Sequence, residues 1–178
     1  MDELVKKAKK GDKEAFTELI MSLEKDLYRI AKARLQNDDD ILDAFQETAI
    51  NAFKSIKKLK NTEYFKTWLI KILINNCNSL YKERIKRKES LLEDVQEERY
   101  LIDSDIEAIN NELNFSAIIK KLNYDERISL ILYYSEGYTN KEIGKILKTN
   151  ENTIKARISR AKTKIKKMLK DDMNVEYK

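Results

Sequence analysis

Apolar residues recur every three to four positions along most of the chain, which is the spacing of one face of an α-helix. In the first half they predict four helices: one before Gly11, an unbroken one over residues 15–31, a third over residues 41–56, and a long fourth from Tyr64. Asp12 can cap the second helix, and the polar residues 37–40 separate the second from the third. The first half therefore reads as a small helical bundle.

The second half of the chain ends in a predicted helix-turn-helix. Two helices, over residues 115–122 and 128–133, precede it, and Gly137 ends the second of them. Thr139 and Glu142 have the spacing of a capping box, so a short helix begins there, and Gly144 allows it to pack closely on a neighbour. The chain breaks at residues 148–150, and Asn150 can cap a last helix whose apolar stripe is Ile154, Ile158, Ala161, Ile165, Met168 and Leu169.

Composition and charge divide the chain into two helical domains. Proline is absent and only 3 residues are glycine, so the fold class is all-α. The net charge is +5, but residues 89–112 carry nine acidic residues and one basic residue, while both flanking parts are basic. We therefore expect domains over residues 1–88 and 113–172, an acidic linker over 89–112, and a tail over 173–178.

Several functional classes are excluded by what the sequence lacks. Without histidine and with Cys77 alone, the chain has no Ser-His or Cys-His nucleophile pair and no Cys/His zinc site. Cys77 lies in an apolar run and is expected to be a buried small side chain. No apolar run approaches the roughly 20 residues that a membrane span needs. We expect no cofactor, no metal, no small-molecule substrate and a cytoplasmic location.

The last helix carries the clearest functional signal, because residues 153–170 contain no acidic side chain. Its cations alternate with small and hydroxyl residues, a pattern that lets a helix enter the major groove and contact both phosphates and base edges. A plain solvated face is the alternative for any run of charges. The capped short helix and tight turn before it favour DNA binding.

Three blocks of sequence, taken together, resemble the extracytoplasmic-function (ECF) sigma factors of bacterial RNA polymerase. They are residues 43–48 (DAFQET), residues 68–76 (WLIKILINN), and the helix-turn-helix with KEIG at 141–144 and TIKARISRAK at 153–162. The resemblance covers nearly the whole chain. It implies a first domain like sigma region 2 and a second like sigma region 4.

The resemblance assigns polymerase binding to the third predicted helix. Asp43, Gln46 and Glu47 align with the surface that holds the clamp coiled coil of the largest polymerase subunit. Helical spacing places these three side chains close together. An ordinary solvated, acid-rich turn is one alternative, and metal ligation by the neighbouring aspartates for nuclease chemistry is another, weaker one.

The resemblance assigns promoter opening to the loop of residues 57–63 and to the helix after it. In the family the loop captures a base flipped from the −10 element and the helix contacts the melted strand. The implied residues are Lys58, Lys60, Asn61, Thr62, Lys71 and Asn75. Trp68 shares the period of the apolar residues and is expected in the core rather than stacked on a base.

The resemblance assigns recognition of the −35 duplex to the last helix. The implied residues are Thr153, Lys155, Arg157, Ser159, Arg160, Lys162 and Lys164. Arginine can bind guanine through two hydrogen bonds, so we expect sequence preference to reside in Arg157 and Arg160, with Lys162 and Lys164 on phosphates. The chain departs from the family at the turn, where Lys148 stands in place of a common glycine.

The sequence thus predicts an alternative sigma factor rather than an enzyme. Its expected partners are core RNA polymerase, promoter DNA and, by analogy, a membrane-linked anti-sigma factor. The acidic linker either threads toward the polymerase active centre, as in the family, or is a spacer. The alternative function is a free-standing helix-turn-helix regulator, which would need a dimer interface that the sequence does not display.

Overall fold

The chain folds into α-helices throughout the part that the computed structural model describes, which comprises residues 1–35, 37–91 and 118–175. No β-strand occurs within those ranges, so the all-α prediction is confirmed. Two short 3-10 turns, Ile56–Lys58 and Thr62–Tyr64, separate the fourth helix from the fifth. The helices are α1 (Asp2–Lys9), α2 (Lys13–Ser22), α3 (Glu24–Lys32), α4 (Asp38–Ser55), α5 (Phe65–Leu91), α6 (Tyr124–Tyr134), α7 (Asn140–Leu147) and α8 (Glu151–Val175).

The unbroken helix expected over residues 15–31 is wrong, because the chain bends at Leu23 between α2 and α3. Leu23 has φ −109° and ψ 2°, and its N–H donates to the carbonyl of Ile20 at 3.1 Å. The Ser22 hydroxyl donates to the Leu19 carbonyl at 2.8 Å, a local bond that competes with the helical pattern. Leu23 itself is buried, so the bend keeps an apolar side chain in the core.

The predicted cap at Asp12 is confirmed, whereas α4 begins at Asp38, three residues earlier than predicted, with Asn37 as a cap that the sequence analysis did not name. Asp12 accepts a hydrogen bond from the N–H of Ala15 at 3.0 Å, and Asn37 accepts one from Asp39 at 2.7 Å. Each side chain thereby satisfies a backbone donor that the first turn of a helix leaves unpaired. Three aspartates fill the first turn of α4, where the helix dipole favours negative charge.

The long helix α5 forms the centre of the first domain. Its 27 residues span about 40 Å. One face buries Phe65, Leu69, Leu73 and Cys77 against α3 and α4. Cys77 is 1% exposed, as expected, and burial raises the pKa of its thiol to about 12, which keeps it protonated and unreactive near neutral pH.

The second domain packs α6, α7 and α8 around a core that is continuous with that of the first. Residues 118–120 are helical and precede α6, whose cap Asn123 accepts from the N–H of Glu126 at 2.9 Å. The buried side chains are Ile128, Leu132, Ile143, Ile146, Ile154 and Ile158. Residues 92–117, which include most of the predicted linker 89–112 and the start of the helix predicted over 115–122, lie outside the described residues. Helix α8 continues to Val175, three residues into the predicted tail.

Candidate nucleic-acid interface

The helix-turn-helix begins with the capping box that the sequence predicts. The N–H of Glu142 donates to the Thr139 hydroxyl oxygen at 3.3 Å, and the Glu142 carboxylate accepts from the Thr139 N–H at 2.9 Å. The hydrogen bonds from the side chain and backbone of Thr139 lower the pKa of Glu142. Both hydrogen bonds of the capping box are therefore formed, and they stabilise the start of α7.

The turn between α7 and α8 is tight because Gly144 and Lys148 both accommodate it. A Cβ added to Gly144 would lie 2.8 Å from the Thr149 carbonyl oxygen, so the close packing expected at this glycine is against the turn that follows it. Lys148 takes a left-handed backbone with φ 54°. Asn150 then caps α8 by accepting from the N–H of Thr153 at 2.7 Å. The lysine found in place of the family's glycine thus adopts the bend itself.

Helix α8 presents one face to the core and the opposite face to solvent. Ile154, Ile158 and Ala161 are buried against α6 and α7. The helical period places the outward face half a turn away. It consists of exposed residues without an acidic side chain: Asn152, Ala156, Ser159, Arg160, Thr163 and Lys167.

Two predicted DNA-contacting residues lie on the flank of α8 beside α6 rather than on its outward face. Arg157 is 19% exposed and donates to the Asp125 carboxylate at 2.6 Å. Lys164 binds both carboxylate oxygens of Glu126, at 2.8 and 2.9 Å, and the Glu126 side chain is 3% exposed. In this arrangement both cations hold α8 on the first turn of α6.

The other predicted −35 residues are more open. Arg160 and Ser159 lie on the outward face, and Lys155 is exposed and forms an ion pair with Glu151 one turn earlier, at 2.8 Å. The Lys162 ammonium lies 5.1 Å from the centre of the Tyr134 ring. A hydrogen bond from the Lys162 ammonium to the Tyr134 hydroxyl oxygen raises the pKa of Lys162.

Asn152 is an outward-facing residue that the sequence reasoning missed. It is exposed in the first turn of α8, close in helical angle to Ala156 and Ser159. An asparagine side chain can both donate to and accept from the edge of adenine. The signal was available, because counting back from the apolar stripe at Ile154 places residue 152 opposite the core. A pattern of cations alone does not mark an asparagine.

In the first domain, the loop of residues 57–63 presents Lys58 and Lys60 to solvent on either side of Leu59, which is 8% exposed. Asn61 is turned inward to the backbone, since its side-chain oxygen accepts from the Glu63 N–H at 3.0 Å. The Thr62 hydroxyl donates to the Asp2 carboxylate. The loop therefore has an ordered backbone with three exposed cations, Lys57, Lys58 and Lys60.

Along α5, Asn75 is exposed and Lys71 is half-buried one helical turn before it. Trp68 is also half-buried, and its ring centre lies 5.9 Å from that of Phe65, at the edge of the core. The expectation that Trp68 belongs to the core is met only in part, because one side of the indole stays accessible.

On α4, Asp43, Gln46 and Glu47 are all exposed. Two large apolar side chains flank them, Leu42 at 56% and Ile50 at 52% exposed. The sequence pattern assigns neither residue to a surface. Exposed apolar side chains beside hydrogen-bonding ones are typical of a protein-protein interface.

Comparisons with known proteins place these two domains in one family. Residues 19–87 match the profile of Sigma-70 region 2, and residues 112–165 match that of Sigma-70, region 4. The chain is 28% identical over 155 residues to the RNA polymerase sigma factor SigV of Bacillus subtilis (strain 168), covering 87% of this chain and 91% of SigV. It is 25% identical over 182 residues to the ECF RNA polymerase sigma factor SigW of the same organism, covering 94% and 95%.

The chain belongs to the ECF sigma factors. It is a promoter-recognising alternative sigma factor, and the free-standing regulator is not favoured. Sigma factors are in general initiation factors without an enzymatic activity of their own.

Two solved structures share the fold of this sigma factor. One is CnrH in complex with the cytosolic domain of CnrY, with a TM-score of 0.69, 21% identity, and coverage of 96% of this chain and 97% of that one. The other is the sigma factor RpoE in complex with the anti-sigma factor NepR from Bartonella quintana, with a TM-score of 0.68, 24% identity, and coverage of 87% and 96%.

The two domains of this sigma factor are held together by an ion-pair cluster around Glu136. The Glu136 side chain is fully buried and lies 2.9 Å from Arg29 of α3 and 3.0 Å from Lys66 of α5. Burial opposes the charge on Lys66, but hydrogen bonds to Asp26 and Glu136 outweigh it and raise the Lys66 pKa. The ammonium therefore stays charged at neutral pH.

A stacked arginine extends this domain contact. The Arg34 guanidinium lies 3.7 Å from the centre of the Tyr81 ring and 4.2 Å from that of Tyr124, so it sits between aromatics of the two domains. Arg127 of α6 donates to the Ala33 carbonyl at 3.2 Å, and its burial lowers its pKa. Sequence reasoning missed these residues because their partners are far apart in the chain.

An open groove of about 1540 Å³ lies between the two domains of the sigma factor. Its apolar wall includes Ile20, Met21, Ile41, Phe45 and Ile131, and its polar lining includes Lys25, Arg29 and Lys32. Met21 is 67% exposed in this groove. An amphipathic helix with acidic residues on its polar face has the chemistry to fill it.

Two findings bear on the excluded classes. Across the described parts of the chain, no cluster of three or more His, Cys, Asp or Glu is arranged to hold a metal ion. Within the same parts, no helix has the length and apolar character needed to cross a membrane.

Proposed function

We propose that this sigma factor uses four surfaces to direct initiation: α4 for core polymerase, the 57–63 loop and α5 for the −10 element, α8 for the −35 duplex, and, for an anti-sigma factor, the groove between the domains, which shares Leu42 with the α4 surface. The domains carrying them are residues 1–88 and 113–172, joined by the linker 89–112. Each domain is small, so each alone binds DNA weakly. Holding both on core polymerase raises their effective concentration at the promoter.

The observation that carries the −35 assignment is the outward face of α8. It is exposed, lacks acidic side chains, and is fixed by the capped turn before it. Arg160 and Asn152 on this face offer donors for guanine and adenine edges, while Arg157 and Lys164 stabilise the helix from its flank. Among the two arginines, the exposed one is our choice for base recognition.

The −10 assignment rests on charge and shape. Lys58 and Lys60 are exposed for phosphates, and the accessible side of Trp68 lies on the same helix as Lys71 and Asn75. An aromatic face and nearby cations are the usual means of holding unpaired bases. Asn61 accepts from the Glu63 N–H through its oxygen, and its amide group donates to the Glu63 carboxylate at 3.4 Å, so a base bound by that amide takes the place of the carboxylate.

The polymerase assignment rests on α4, where Asp43, Gln46 and Glu47 share a face with Leu42 and Ile50. Carboxylates there can pair with basic side chains of a partner coiled coil, while the apolar pair is covered. The anti-sigma assignment rests on the apolar groove and on the fold shared with CnrH and RpoE, whose solved structures contain CnrY and NepR. We further propose a cytoplasmic location and, by analogy, a membrane-linked anti-sigma factor.

The test is transcription with purified core RNA polymerase on a pool of genomic fragments, with and without the chain. Discrete transcripts that depend on the chain support the proposal, and their start sites give the promoter consensus. Arg160→Ala should reduce discrimination at one −35 base pair by about 1–3 kcal/mol, roughly 5- to 150-fold. Lys13→Ala, which removes a charge from the exposed start of α2, is the matched control.

Arg157→Ala separates the two arginine roles. If Arg157 stabilises α8, its loss should weaken binding to all −35 sequences by a similar factor. A preference lost at a single base pair would instead make Arg157 a direct reader. The proposal is wrong if the chain gives no transcripts, does not bind core polymerase and binds a palindromic duplex tightly. That result would support a free-standing helix-turn-helix regulator.

A further inference from the structure

The first helix of the chain is attached to the loop of residues 57–63 at two points. The Lys9 ammonium at the end of α1 donates to the Leu59 carbonyl at 2.6 Å. At the beginning of α1, the Asp2 carboxylate accepts from the Thr62 hydroxyl. One helix of eight residues, about 12 Å long, therefore holds the loop at two positions three residues apart.

Helix α1 has its own anchor in the core, independent of the loop. Val5 is 0% and Ala8 is 1% exposed, and both pack in the first domain beside α2. Asp2 also forms an ion pair with Lys6 at 2.6 Å, and these contacts lower the pKa of Asp2. The carboxylate thus stays charged and in place as an acceptor. A rigid helix, rather than a second flexible segment, supports the loop.

These attachments restrict the backbone that presents Lys58 and Lys60. The Leu59 carbonyl accepts a hydrogen bond from Lys9, and the Asn61 side chain accepts one from the Glu63 N–H. The residues on both sides of Lys60 therefore have fixed partners. A loop that receives an unpaired base must hold its groups within a fraction of an ångström of the productive position. Lost attachments would let the loop sample positions that bind several bases equally.

We propose that α1 is a positioning element for base selection, in which Lys9 and Asp2 fix the 57–63 loop in the conformation that captures a −10 base. The inference rests on the proposed role of that loop. Neither residue touches DNA in this account. Their effect is transmitted through the Leu59 carbonyl and the Thr62 hydroxyl, and it should appear as lost selectivity rather than lost folding.

The test compares open-complex formation on promoters that carry each of the four bases at each −10 position. Purified core polymerase with the full chain is used, and opening is followed by permanganate reactivity of unpaired thymines. Lys9→Met keeps the aliphatic stem but removes the donor, and Asp2→Ala removes the acceptor at the other end. Lys7→Met, on the exposed side of the same helix, is the matched control.

We expect Lys9→Met to reduce opening on the preferred promoter about tenfold and to flatten the preference at one −10 position, because a hydrogen bond from a charged donor is lost. Preferences at the −35 element and binding to core should match those of the wild type. Lys9→Arg should restore the preference, since it restores a donor. Lys7→Met should behave as wild type.

Three results have distinct meanings. Wild-type base preferences in both Lys9→Met and Asp2→Ala would overturn the inference. A uniform loss of opening on every promoter would also overturn it, because that result indicates ordinary destabilisation of the domain. If the wild type shows no −10 base preference, or if Asn61→Ala and Lys60→Ala leave that preference intact, the proposed role of the loop fails instead.

Discussion

Replacing Gly144 with alanine sets two opposing energies against each other in the helix-turn-helix. In a helix interior, alanine is more favourable than glycine by about 1 kcal/mol. The added Cβ, however, would lie 2.8 Å from the Thr149 carbonyl oxygen, which is closer than these atoms approach in proteins. Overpacking of this kind costs about 1–3 kcal/mol. The two energies predict a net destabilisation of about 1 kcal/mol.

The backbone around Thr149 has little freedom to relieve the clash. The Thr149 N–H donates to the Gly144 carbonyl at 2.9 Å, so the residue whose carbonyl must move is already bound to the residue that pushes it. Asn150, the cap of α8, follows directly. A shift of the Thr149 carbonyl therefore turns the start of α8, and we expect −35 binding to weaken together with stability.

The measurement is thermal unfolding followed by circular dichroism at 222 nm, with −35 duplex affinity determined in parallel. For a chain of this size, a loss of about 1 kcal/mol lowers the Tm by roughly 2–4 °C. Lys145→Ala is the control, because it gains helix propensity on an exposed face of the same helix without a new contact. A Tm that rises in Gly144→Ala, as propensity alone requires, would refute the packing argument.

Three further predictions concern other residues of the second domain. Lys148→Gly should stabilise the protein by about 0.5–1 kcal/mol in urea unfolding, because glycine adopts the φ of 54° without a Cβ clash, whereas Lys145→Gly should destabilise it by about 1 kcal/mol. The contribution of Glu142 to folding stability is fully present above its ordinary pKa of 4.5 and should be lost as the pH falls through its lowered folded-state pKa. Glu142→Gln should therefore flatten the acid limb of a Tm-versus-pH curve. Glu136→Gln should weaken the free energy of docking between the two domains by on the order of 1–2 kcal/mol. Energy transfer between dyes on the two domains should then report a longer distance, and an unchanged distance would contradict the role of the cluster.

The sequence predicts helices and caps well because these depend on neighbouring residues. Thr139 with Glu142, and Asn150 with Thr153, are recognisable from spacing alone, and both caps are found. The bend at Leu23 was missed because an apolar residue continues the helical period through the break. Local pattern cannot tell a continuous helix from two helices that share a buried corner.

The site was predictable as a helix face but not as a set of partners. The period of α8 identifies its outward side, yet the pairing of Arg157 with Asp125, 32 residues away, depends on how α6 and α8 pack. The same holds for Glu136 and Arg29, which are 107 residues apart. Charge counting marks a basic helix, and only the folded chain shows which of its cations already have a partner.

If the melted strand extends over the first turn of α5, promoter opening and docking of the two domains oppose each other. In that turn Lys66 binds Glu136 and Thr67 binds Tyr138 at 3.1 Å. A strand that reached these two side chains would compete with the second domain for them. The factor by which domain docking weakens strand binding equals the factor by which strand binding weakens domain docking. If the docked form outnumbers the open form a hundredfold, apparent affinity for the strand falls about a hundredfold, and whatever parts the domains restores it.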